Sequence, residues 1–437
     1  MVVPSVDLPA ALLRGADPAD WQPQRWTGLR LDLGQVAHTV ARALDYVGVD
    51  DRSHGRRVGL MCGRVAAELG WSPARQTEAL ITGMLHDCGV SSTDMHRKLT
   101  ASMEWSGAEE HCLKGHAALS GFDPFACYAP AVRWHHTRWA NLSPTVGAET
   151  RMMANLVFLC DRLDVQTAVF LTSHPPVDLL QARFTLFDSL AVHAGLLFDP
   201  VLLAGVRQAI HRDSFWLELQ DDFLDRAIFE ILDAHSQTVD VSFGDVLSLG
   251  AFLSQIVDAK SPFTRQHSLR VADLVEAMGG LLGYGGRRRD LLRLAGLLHD
   301  IGKLRTPDEI LEKGGPLSVV ERDCMRRHPM DSKLILIDLF PDTPLARWVS
   351  HHHEKINGQG YPYGLGGNDL DQETRLLTLC DIFQALSQNR PYRNRLQPAE
   401  IMTIMTGMRE NGELDADLFA LLDAHREEMY RIAIAED

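Results

Sequence analysis

The 437-residue sequence predicts an all-α fold made of two related helical bundles in tandem. One observation is an internal repeat: the segment that starts at His54 returns at His267 and stays in register without a gap. A second is that apolar residues recur every three or four positions, as in an amphipathic helix. A third is that Gly- and Pro-containing turns separate these periodic segments, and no long segment alternates as a β-strand would. Each bundle is therefore expected to bring inward-facing side chains from several helices together.

The repeat includes the residues best suited to chemistry. In each copy a histidine precedes a His-Asp pair by 32 residues, first at His54 and His86 and again at His267 and His299. Further matches keep their order downstream, and they pair His116 with His328, His135 and His136 with His352 and His353, and Asp161 with Asp381. Chance does not produce so many matches in one order, so we expect two homologous domains.

The repeat divides the chain into three regions. Residues 1–33 contain several prolines and are expected to form a loosely structured lead-in. Residues 34–238 form the first domain, which we interpret as regulatory or structural, and residues 244–437 form the second, catalytic domain. The polar segment SQTVDVSFGD at 236–245 is the predicted boundary between the two domains.

Composition and charge limit the class of partner. The sequence is 45% hydrophobic and carries 43 Lys and Arg against 58 Asp and Glu, for a net charge of −15. This acidic excess argues against DNA and anionic membranes as partners. No segment reaches the ~18 consecutive apolar residues of a membrane span, and the N-terminus does not resemble a signal peptide. Seven cysteines without a CxxC pair are typical of a reducing compartment. We expect a cytoplasmic protein, and the sequence leaves a homodimer open.

The second repeat places polar residues where an apolar helix would not select them. These residues are His267, His299, Asp300, His328, His352, His353 and Asp381. Imidazole and carboxylate groups bind Mn, Fe and Zn, and two ions about 3.5–4 Å apart need a bridging carboxylate with further ligands on each side. A single buried histidine is usually an ordinary core residue, as we expect for His351. The recurrence of the whole set in both halves favours a metal site in which Asp300 lies between two ions.

Four motifs in this half resemble one family. They are HDIGK at 299–303, RRHP at 326–329, HHEKINGQGYP at 352–362 and LCDIFQALSQNRPYR at 379–393. Together they resemble the HD-GYP domains, a branch of the HD metal-dependent phosphohydrolases, over roughly residues 250–400. The resemblance implies HD-type helical bundles and a cyclic-dinucleotide substrate.

The resemblance also implies a ligand set for two divalent metal ions. One ion would be held by His267, His299, Asp300 and Asp381. The other would be held by Asp300, His328 and His352, with His353 as a further ligand or a neighbour of the ligands. Fe and Mn are the expected metals, with Zn, Mg, Ni and Co as alternatives.

The catalytic and substrate-binding residues follow from the same resemblance. Asp300 and Lys303 would be catalytic, since Lys303 adds positive charge where the phosphorus centre becomes more negative during hydrolysis. Substrate would contact Lys303, Gly360, Tyr361, Arg390 and Arg393. The expected reaction converts cyclic di-GMP to linear pGpG, and whether it continues to GMP stays open. Two alternatives stay open: a phosphodiesterase for 3′,3′-cGAMP, and a non-catalytic cyclic-dinucleotide sensor or scaffold.

Three positions depart from the family pattern. Phe263 and Gln384 stand where other members carry carboxylates of a third metal site, which favours two ions over three. Asn357 replaces an aspartate just before the GYP tripeptide, and the sequence does not show what this change does.

The first repeat keeps metal-ligand residues but loses those that would handle a phosphate. The retained set is His54, His86, Asp87, His116, His135 and Asp161, with His136 alongside and with Asp50 and Asp164 at the positions that the second half has lost. Val90 stands in place of Lys303, Thr137 in place of Glu354, and RWANLSP in place of the GYP loop. We expect a degenerate domain that does not hydrolyse cyclic dinucleotides, and whether it binds metal stays open.

Overall fold

The computed structural model describes residues 29–45, 53–90, 93–100, 103–105, 107–236, 238–259, 266–340, 343–389 and 394–435. The chain forms two compact units, Leu29–Lys260 and Ser261–Asp437. Both are helical, so the predicted all-α architecture is confirmed. Within the described part of the chain, every helix is too short or too polar to span a bilayer.

The first unit contains twelve described helices and one pair of short strands. In chain order they are β1 Leu29–Asp32, α1 Leu33–Leu44, α2 His54–Glu68, α3 Pro73–Leu85, α4 Thr93–Thr100, α5 Ala108–Ser120, α6 Ala129–Trp134, α7 Ala148–Leu171, α8 Leu179–Ala191, α9 Pro200–Ile210, α10 Asp213–Leu217, α11 Asp221–Ala234, β2 Thr238–Val241 and α12 Phe243–Ala259. Short 3₁₀ segments lie at Asp123–Phe125, Trp139–Asn141 and Pro176–Asp178.

The second unit repeats the central helices of the first. Its described helices are α13 His267–Leu281, α14 Gly286–Leu298, α15 Asp308–Leu311, α16 Val319–Met325, α17 His328–Leu339, α18 Leu345–Ser350, α19 Gln372–Ser387, α20 Pro398–Glu410, α21 Ala416–Ala424 and α22 Arg426–Ala433. Short 3₁₀ segments lie at Ile301–Arg305 and Gly367–Asp369. Helices α2 and α13 each have 15 residues, and α3 and α14 each have 13.

A close helix crossing recurs at the same place in both units. In the first unit, a Cβ added to Gly83 on α3 would lie 2.8 Å from the Cα of Gly59 on α2. In the second, a Cβ added to Gly296 on α14 would lie 2.5 Å from the Cα of Ala272 on α13. Because small residues let the backbones touch, the ends of these helices meet and bring their terminal histidines together.

The strand pair lies where the sequence predicts loose structure. Strand β1 pairs antiparallel with β2, with Leu29 opposite Val241 and Asp32 opposite Thr238. The end of the predicted lead-in and the polar segment 236–245 are thus joined to each other in the first unit. Residues 1–28 of the lead-in lie outside the described residues.

Helix α12 belongs to the first unit. The ring of Phe252 packs edge-on against Phe125, with 6.3 Å between the ring centroids. The division between the compact units therefore falls after α12, whereas the polar segment 236–245 precedes that helix.

Candidate metal centre

Helix ends in the second unit place three histidine rings around Asp300. His299 follows the last residue of α14, His328 begins α17 and His352 lies just beyond α18. The Nδ1 of each ring is 2.6–2.8 Å from the backbone carbonyl oxygen three residues earlier. This hydrogen bond places the proton on Nδ1 and leaves the Nε2 lone pair available as a ligand. All three rings are buried.

Asp300 lies between two groups of ligands. Its Oδ2 is 3.3 Å from the Nε2 of His299 and 3.6 Å from that of His267. Its Oδ1 is 3.4 Å from the Nε2 of His328 and 3.9 Å from that of His352. We call the two sides of this carboxylate side A, at Oδ2, and side B, at Oδ1.

The remaining predicted ligands complete the two sides. On side A, Asp381 Oδ1 is 3.3 Å from His267 Nε2 and 3.8 Å from His299 Nε2. On side B, His353 lies with His328 and His352 in a group whose ligand atoms are all within 4.8 Å of one another. The seven residues that the sequence predicts as ligands are thus brought together.

The donor set fits divalent metal ions. Asp300 Oδ1 is buried and accepts no hydrogen bond from the described residues, which is costly for an anionic oxygen unless a cation faces it. The Nε2 atoms of His267 and His299 are 3.3 Å apart, as are those of His328 and His352. Lone pairs that converge in this way repel each other unless a proton or a metal ion lies between them. His267, His299 and Asp381 would hold one ion with Asp300, and His328, His352 and His353 the other.

Burial and charge set the protonation of these ligands. Burial, together with the nearby ammonium of Lys303, lowers the pKa of His328 to about 3. Burial and the neighbouring His299 lower the pKa of His352 to about 4. Burial also disfavours the charged form of His299, but the adjacent Asp300 carboxylate outweighs it and raises that pKa to about 9. Side B thus has neutral imidazoles ready for a metal ion, whereas binding on side A would release a proton.

Gln384 orients His267. The Nδ1 of His267 is 2.5 Å from Gln384 Oε1 and donates to it, which leaves Nε2 facing side A. Gln384 is therefore a neighbour of a ligand, and an amide oxygen suffices for that task. Phe263, the other position predicted to have lost a third metal site, lies outside the described residues.

Lys303 contacts the carboxylate of Asp300. Its Nζ is 2.5 Å from Asp300 Oδ2, and its side chain is 20% exposed, so Lys303 is less buried than the carboxylate that it contacts. The 3₁₀ segment Ile301–Arg305 places Lys303 here, since residues three apart lie on one face of such a turn.

The GYP loop is held by a buried glutamate that the sequence did not single out as a site residue. Glu354 accepts backbone hydrogen bonds from Tyr363, Gly364 and Leu365 at 2.6–3.2 Å. A Cβ on Gly360 would lie 2.4 Å from the Cα of Glu354, so glycine at this position allows the loop to pack closely. Glu354 is the glutamate of the HHE motif at 352–354, which was the signal available for this role.

Tyr361 forms a surface beside the centre. Its ring lies 4.8 Å from the ring of His353, and the guanidinium of Arg326 lies 4.7 Å from the Tyr361 centroid. Arg326 belongs to the RRHP motif but was not predicted to meet substrate. The predicted substrate residues Arg390 and Arg393 lie outside the described residues.

Comparisons with known proteins identify the family. A family model described as an HD domain matches residues 251–418. The 3′3′-cGAMP-specific phosphodiesterase 1 of Vibrio cholerae is 33% identical over 407 residues, which are 93% of this chain and 94% of that protein. The chain belongs to the HD-GYP family.

A second sequence relative and one solved structure are also similar to this chain. A cyclic di-GMP phosphodiesterase of Pseudomonas aeruginosa is 35% identical to this HD-GYP protein over 202 residues, 45% of this chain and 48% of the relative. The crystal structure of a cyclic GMP-AMP-specific phosphodiesterase of V. cholerae aligns with a TM-score of 0.62 and 23% identity. That alignment covers 91% of this chain and 98% of the other, and it shows a shared fold.

The first unit of this HD-GYP protein contains a similar centre, with one correction to the predicted ligands. His111, and not His116, lies against the other residues: its Nε2 is 3.1 Å from His135 Nε2 and 3.5 Å from Asp87 Oδ1. His116 is five residues further along α5, which turns it about 140° around the helix axis. The predicted pairing of His116 with His328 is therefore wrong.

A glycine explains why His111 occupies this place. A Cβ on Gly89 would lie 2.0 Å from the carbonyl oxygen of His111, and a Cβ on Gly302 would lie 2.1 Å from that of His328. The same glycine after the His-Asp pair thus lies against the backbone of the corresponding histidine in both units. The sequence carried this signal as well, since His111 precedes His135 by the 24 residues that separate His328 from His352.

The other predicted residues of the first unit do meet. His54 Nε2 is 3.4 Å from Asp161 Oδ1 and 3.7 Å from Asp87 Oδ2, while His86 Nε2 is 3.3 Å from Asp87 Oδ2. His136 Nε2 is 3.8 Å from Asp161 Oδ2. Asp164 orients His54 at 2.8 Å as Gln384 orients His267, and Asp50 lies outside the described residues.

Proposed function

We propose that this chain is a metal-dependent phosphodiesterase that opens one phosphodiester bond of a cyclic dinucleotide at the centre of its second unit. The observation that carries the proposal is the bridging position of Asp300, whose two oxygens face two converging ligand groups with Lys303 alongside. In this reaction the oxygen of a water molecule bonds to the phosphorus of one phosphodiester, the bond from that phosphorus to O3′ breaks, and O3′ takes a proton. The product is a linear dinucleotide.

Two divalent ions, with Fe or Mn favoured, are the proposed cofactors. His267, His299, Asp300 and Asp381 would hold one, and Asp300, His328, His352 and His353 would hold the other. When bound, such ions acidify a water molecule and offset the negative charge of phosphate oxygens. Two ions are favoured over three because Gln384 is engaged with His267.

The chain's own residues orient and neutralise the substrate. The Lys303 ammonium stands beside the bridging carboxylate and is proposed to donate to the phosphate as its negative charge increases. Tyr361 and Arg326 together form an aromatic and cationic surface on which a purine can stack. This local positive charge overcomes the net charge of −15 that would otherwise repel a dianionic substrate.

Two substrates are candidates. The HD-GYP resemblance favours cyclic di-GMP, and a relative with that activity matches nearly half of the chain. The relative that matches 93% of the chain acts on 3′3′-cGAMP, which favours that substrate. The first unit lacks a lysine beside its carboxylate, because Val90 is buried at that position, and is proposed to be a regulatory or structural module.

The test is turnover by the full chain reconstituted with Fe²⁺ or Mn²⁺, with and without oxygen, on cyclic di-GMP and 3′3′-cGAMP in parallel. Asp300→Ala should lose bound metal and hydrolysis together, since one carboxylate serves both ions. Asp323→Ala, on the exposed face of α16, is the matched control and should keep both. Wild-type chain that binds metal but hydrolyses neither substrate would exclude the proposal, as would full activity of Asp300→Ala.

A further inference from the structure

The centre of the first unit has two sides that differ in charge. Its side B consists of Asp87, His111, His135 and His136, whose ligand atoms all lie within 4.8 Å of one another. His111 and His135 are fully buried, and Asp87 Oδ1 accepts no hydrogen bond from the described residues. Side B therefore offers a buried carboxylate oxygen without a hydrogen-bond donor and a set of converging imidazole rings, as a cation site requires.

Side A already contains a cation from the chain. The guanidinium of Arg162 reaches both oxygens of Asp161, with Nη2 at 3.0 Å from Oδ1 and 2.8 Å from Oδ2, and Nε at 3.1 Å from Oδ2. Its Nη1 donates to the carbonyl oxygen of Leu99 at 2.9 Å. Arg162 is only 3% exposed, so this arrangement is buried. The carboxylate that should complete side A is thus neutralised from within the same helix.

The second unit has an isoleucine at the position of Arg162. Ile382 follows Asp381 there, and Asp381 Oδ1 faces His267 and His299 at 3.3 and 3.8 Å. An isoleucine cannot form an ion pair, so Asp381 keeps its charge for a metal ion. Lys303 does contact the second centre, but it is 20% exposed and sits on a flexible stem that can turn toward solvent. Arg162 has no comparable exposure.

The charges around the centre of the first unit also favour a single metal ion on side B. In the first unit, Arg57 pairs with Asp164 at 2.7 Å and Arg162 pairs with Asp161 at 2.8 Å. Arginine stays protonated under all ordinary conditions, and moving it away would leave a buried charge without its partner. Asp87 is the carboxylate of this centre that no arginine neutralises among the contacts described here. One divalent ion on side B satisfies it.

The space above side A is also small. His54, Asp87, Val90 and His96 are among the residues that line a cavity of about 20 Å³, enough for about one water molecule. A cavity of this volume is too small for a nucleotide.

We propose that the first unit binds a single metal ion through Asp87, His111, His135 and His136, and that the guanidinium of Arg162 takes the place of the second ion. This inference concerns metal binding by the first unit and is independent of the substrate of the second.

The experiment uses the full chain with His299→Ala and Asp300→Ala, which disable the second centre. The protein is loaded with Mn²⁺ alone, freed of excess metal, and measured by elemental analysis and electron paramagnetic resonance. We expect about one Mn²⁺ per chain with the spectrum of an isolated ion. Adding Arg162→Ile should raise the content to about two and give the spectrum of a coupled pair. A content of two with Arg162 present, no bound Mn²⁺, or one Mn²⁺ in a folded Arg162→Ile chain would overturn the proposal.

A second set of variants decides the question even where Arg162→Ile does not fold. In the same background, His111→Ala should abolish Mn²⁺ binding, whereas the neighbouring His116→Ala should leave the content at about one. His54→Ala tests side A and should also leave it unchanged. If the His54→Ala chain loses Mn²⁺ and the His111→Ala chain keeps it, the ion is bound on side A, which would contradict the inference.

Discussion

At the scale of single residues, the second centre depends on how the Lys303 ammonium and the histidine rings share the carboxylate of Asp300. Asp300 is buried and faces ligands on both sides, while the Lys303 ammonium approaches its Oδ2 from the more open direction. Burial disfavours the Asp300 anion, but His299 and Lys303 hold its pKa well below the ordinary value. The Asp300 carboxylate is therefore charged at any pH near neutrality.

Lys303→Ala separates catalysis from metal binding. We expect metal content to stay near that of the wild type, because the lysine is not a ligand. Turnover should fall on the order of 10²–10³-fold if the lysine acts on the charge of the transition state. Lys313→Ala, which removes a lysine paired with Glu321 at the surface, is the control. An unchanged rate for Lys303→Ala would show that this lysine is a bystander.

At the scale of elements, the arrangement of ligands depends on where helices start and stop. Helix α17 begins at His328 directly over Gly302, where the backbones approach too closely for any side chain. The hydroxyl of Ser332 accepts from the Gly302 N–H at 2.9 Å and donates to the carbonyl oxygen of His299 at 3.1 Å. One glycine and one serine thus fix the distance between the ligands of the two sides.

Gly302→Ala tests this contact. The new Cβ would lie 2.1 Å from the carbonyl oxygen of His328, so α17 must shift and take a side B ligand with it. We expect a loss of about 1–3 kcal/mol in the free energy of unfolding, together with reduced metal content. Gly286→Ala is the control, since a Cβ there meets no described atom within 4 Å. Wild-type stability and metal content in Gly302→Ala would contradict the packing argument.

Glu354→Ala tests the support of the GYP loop. Three backbone N–H groups would lose a buried charged acceptor, which contributes about 1.5–3 kcal/mol in a typical hydrogen bond. Because Glu354 is not among the proposed ligands, metal content should persist while KM rises about 10-fold or more. Glu410→Ala, at the exposed end of α20, should change neither quantity. A KM equal to that of the wild type would mean that the loop keeps its shape without Glu354.

At the scale of the whole molecule, two similar units carry unequal chemistry. The first keeps histidines and aspartates but has Val90 for Lys303, an internal Arg162–Asp161 ion pair and Thr137 in place of Glu354. A metal ion without groups to orient and neutralise the substrate forfeits much of the catalytic effect.

A pair of full-length variants checks this asymmetry. His299→Ala with Asp300→Ala should abolish hydrolysis of cyclic dinucleotides, whereas His86→Ala with Asp87→Ala should leave measurable hydrolysis with a changed KM if the first unit regulates the second. Both pairs remove equivalent side chains, so each serves as the control for the other. Substantial turnover by the chain disabled only in its second unit would show that the lysine and the GYP loop are dispensable.

The sequence was sufficient for the fold class and for most of the candidate ligands. Helical periodicity and a gapless repeat are local properties, so the paired helices α2 and α3 and their counterparts α13 and α14 follow from them. The types of ligand and their order also follow, because imidazole and carboxylate groups inside apolar helices are unusual. The strand pair β1 and β2 was missed, since the alternation in LRLD and TVDV extends over only four residues and is too short to indicate a strand.

Only the tertiary structure decided which of these residues meet. His111 replaced His116 because its backbone packs against Gly89, and that contact joins residues distant in sequence. The paired state of Asp161 depends on burial of its neighbour Arg162, which adjacency in the chain does not determine. Residue chemistry and spacing therefore determined what this protein is built to bind, whereas the long-range packing of helix ends determined which side chains are free to bind it.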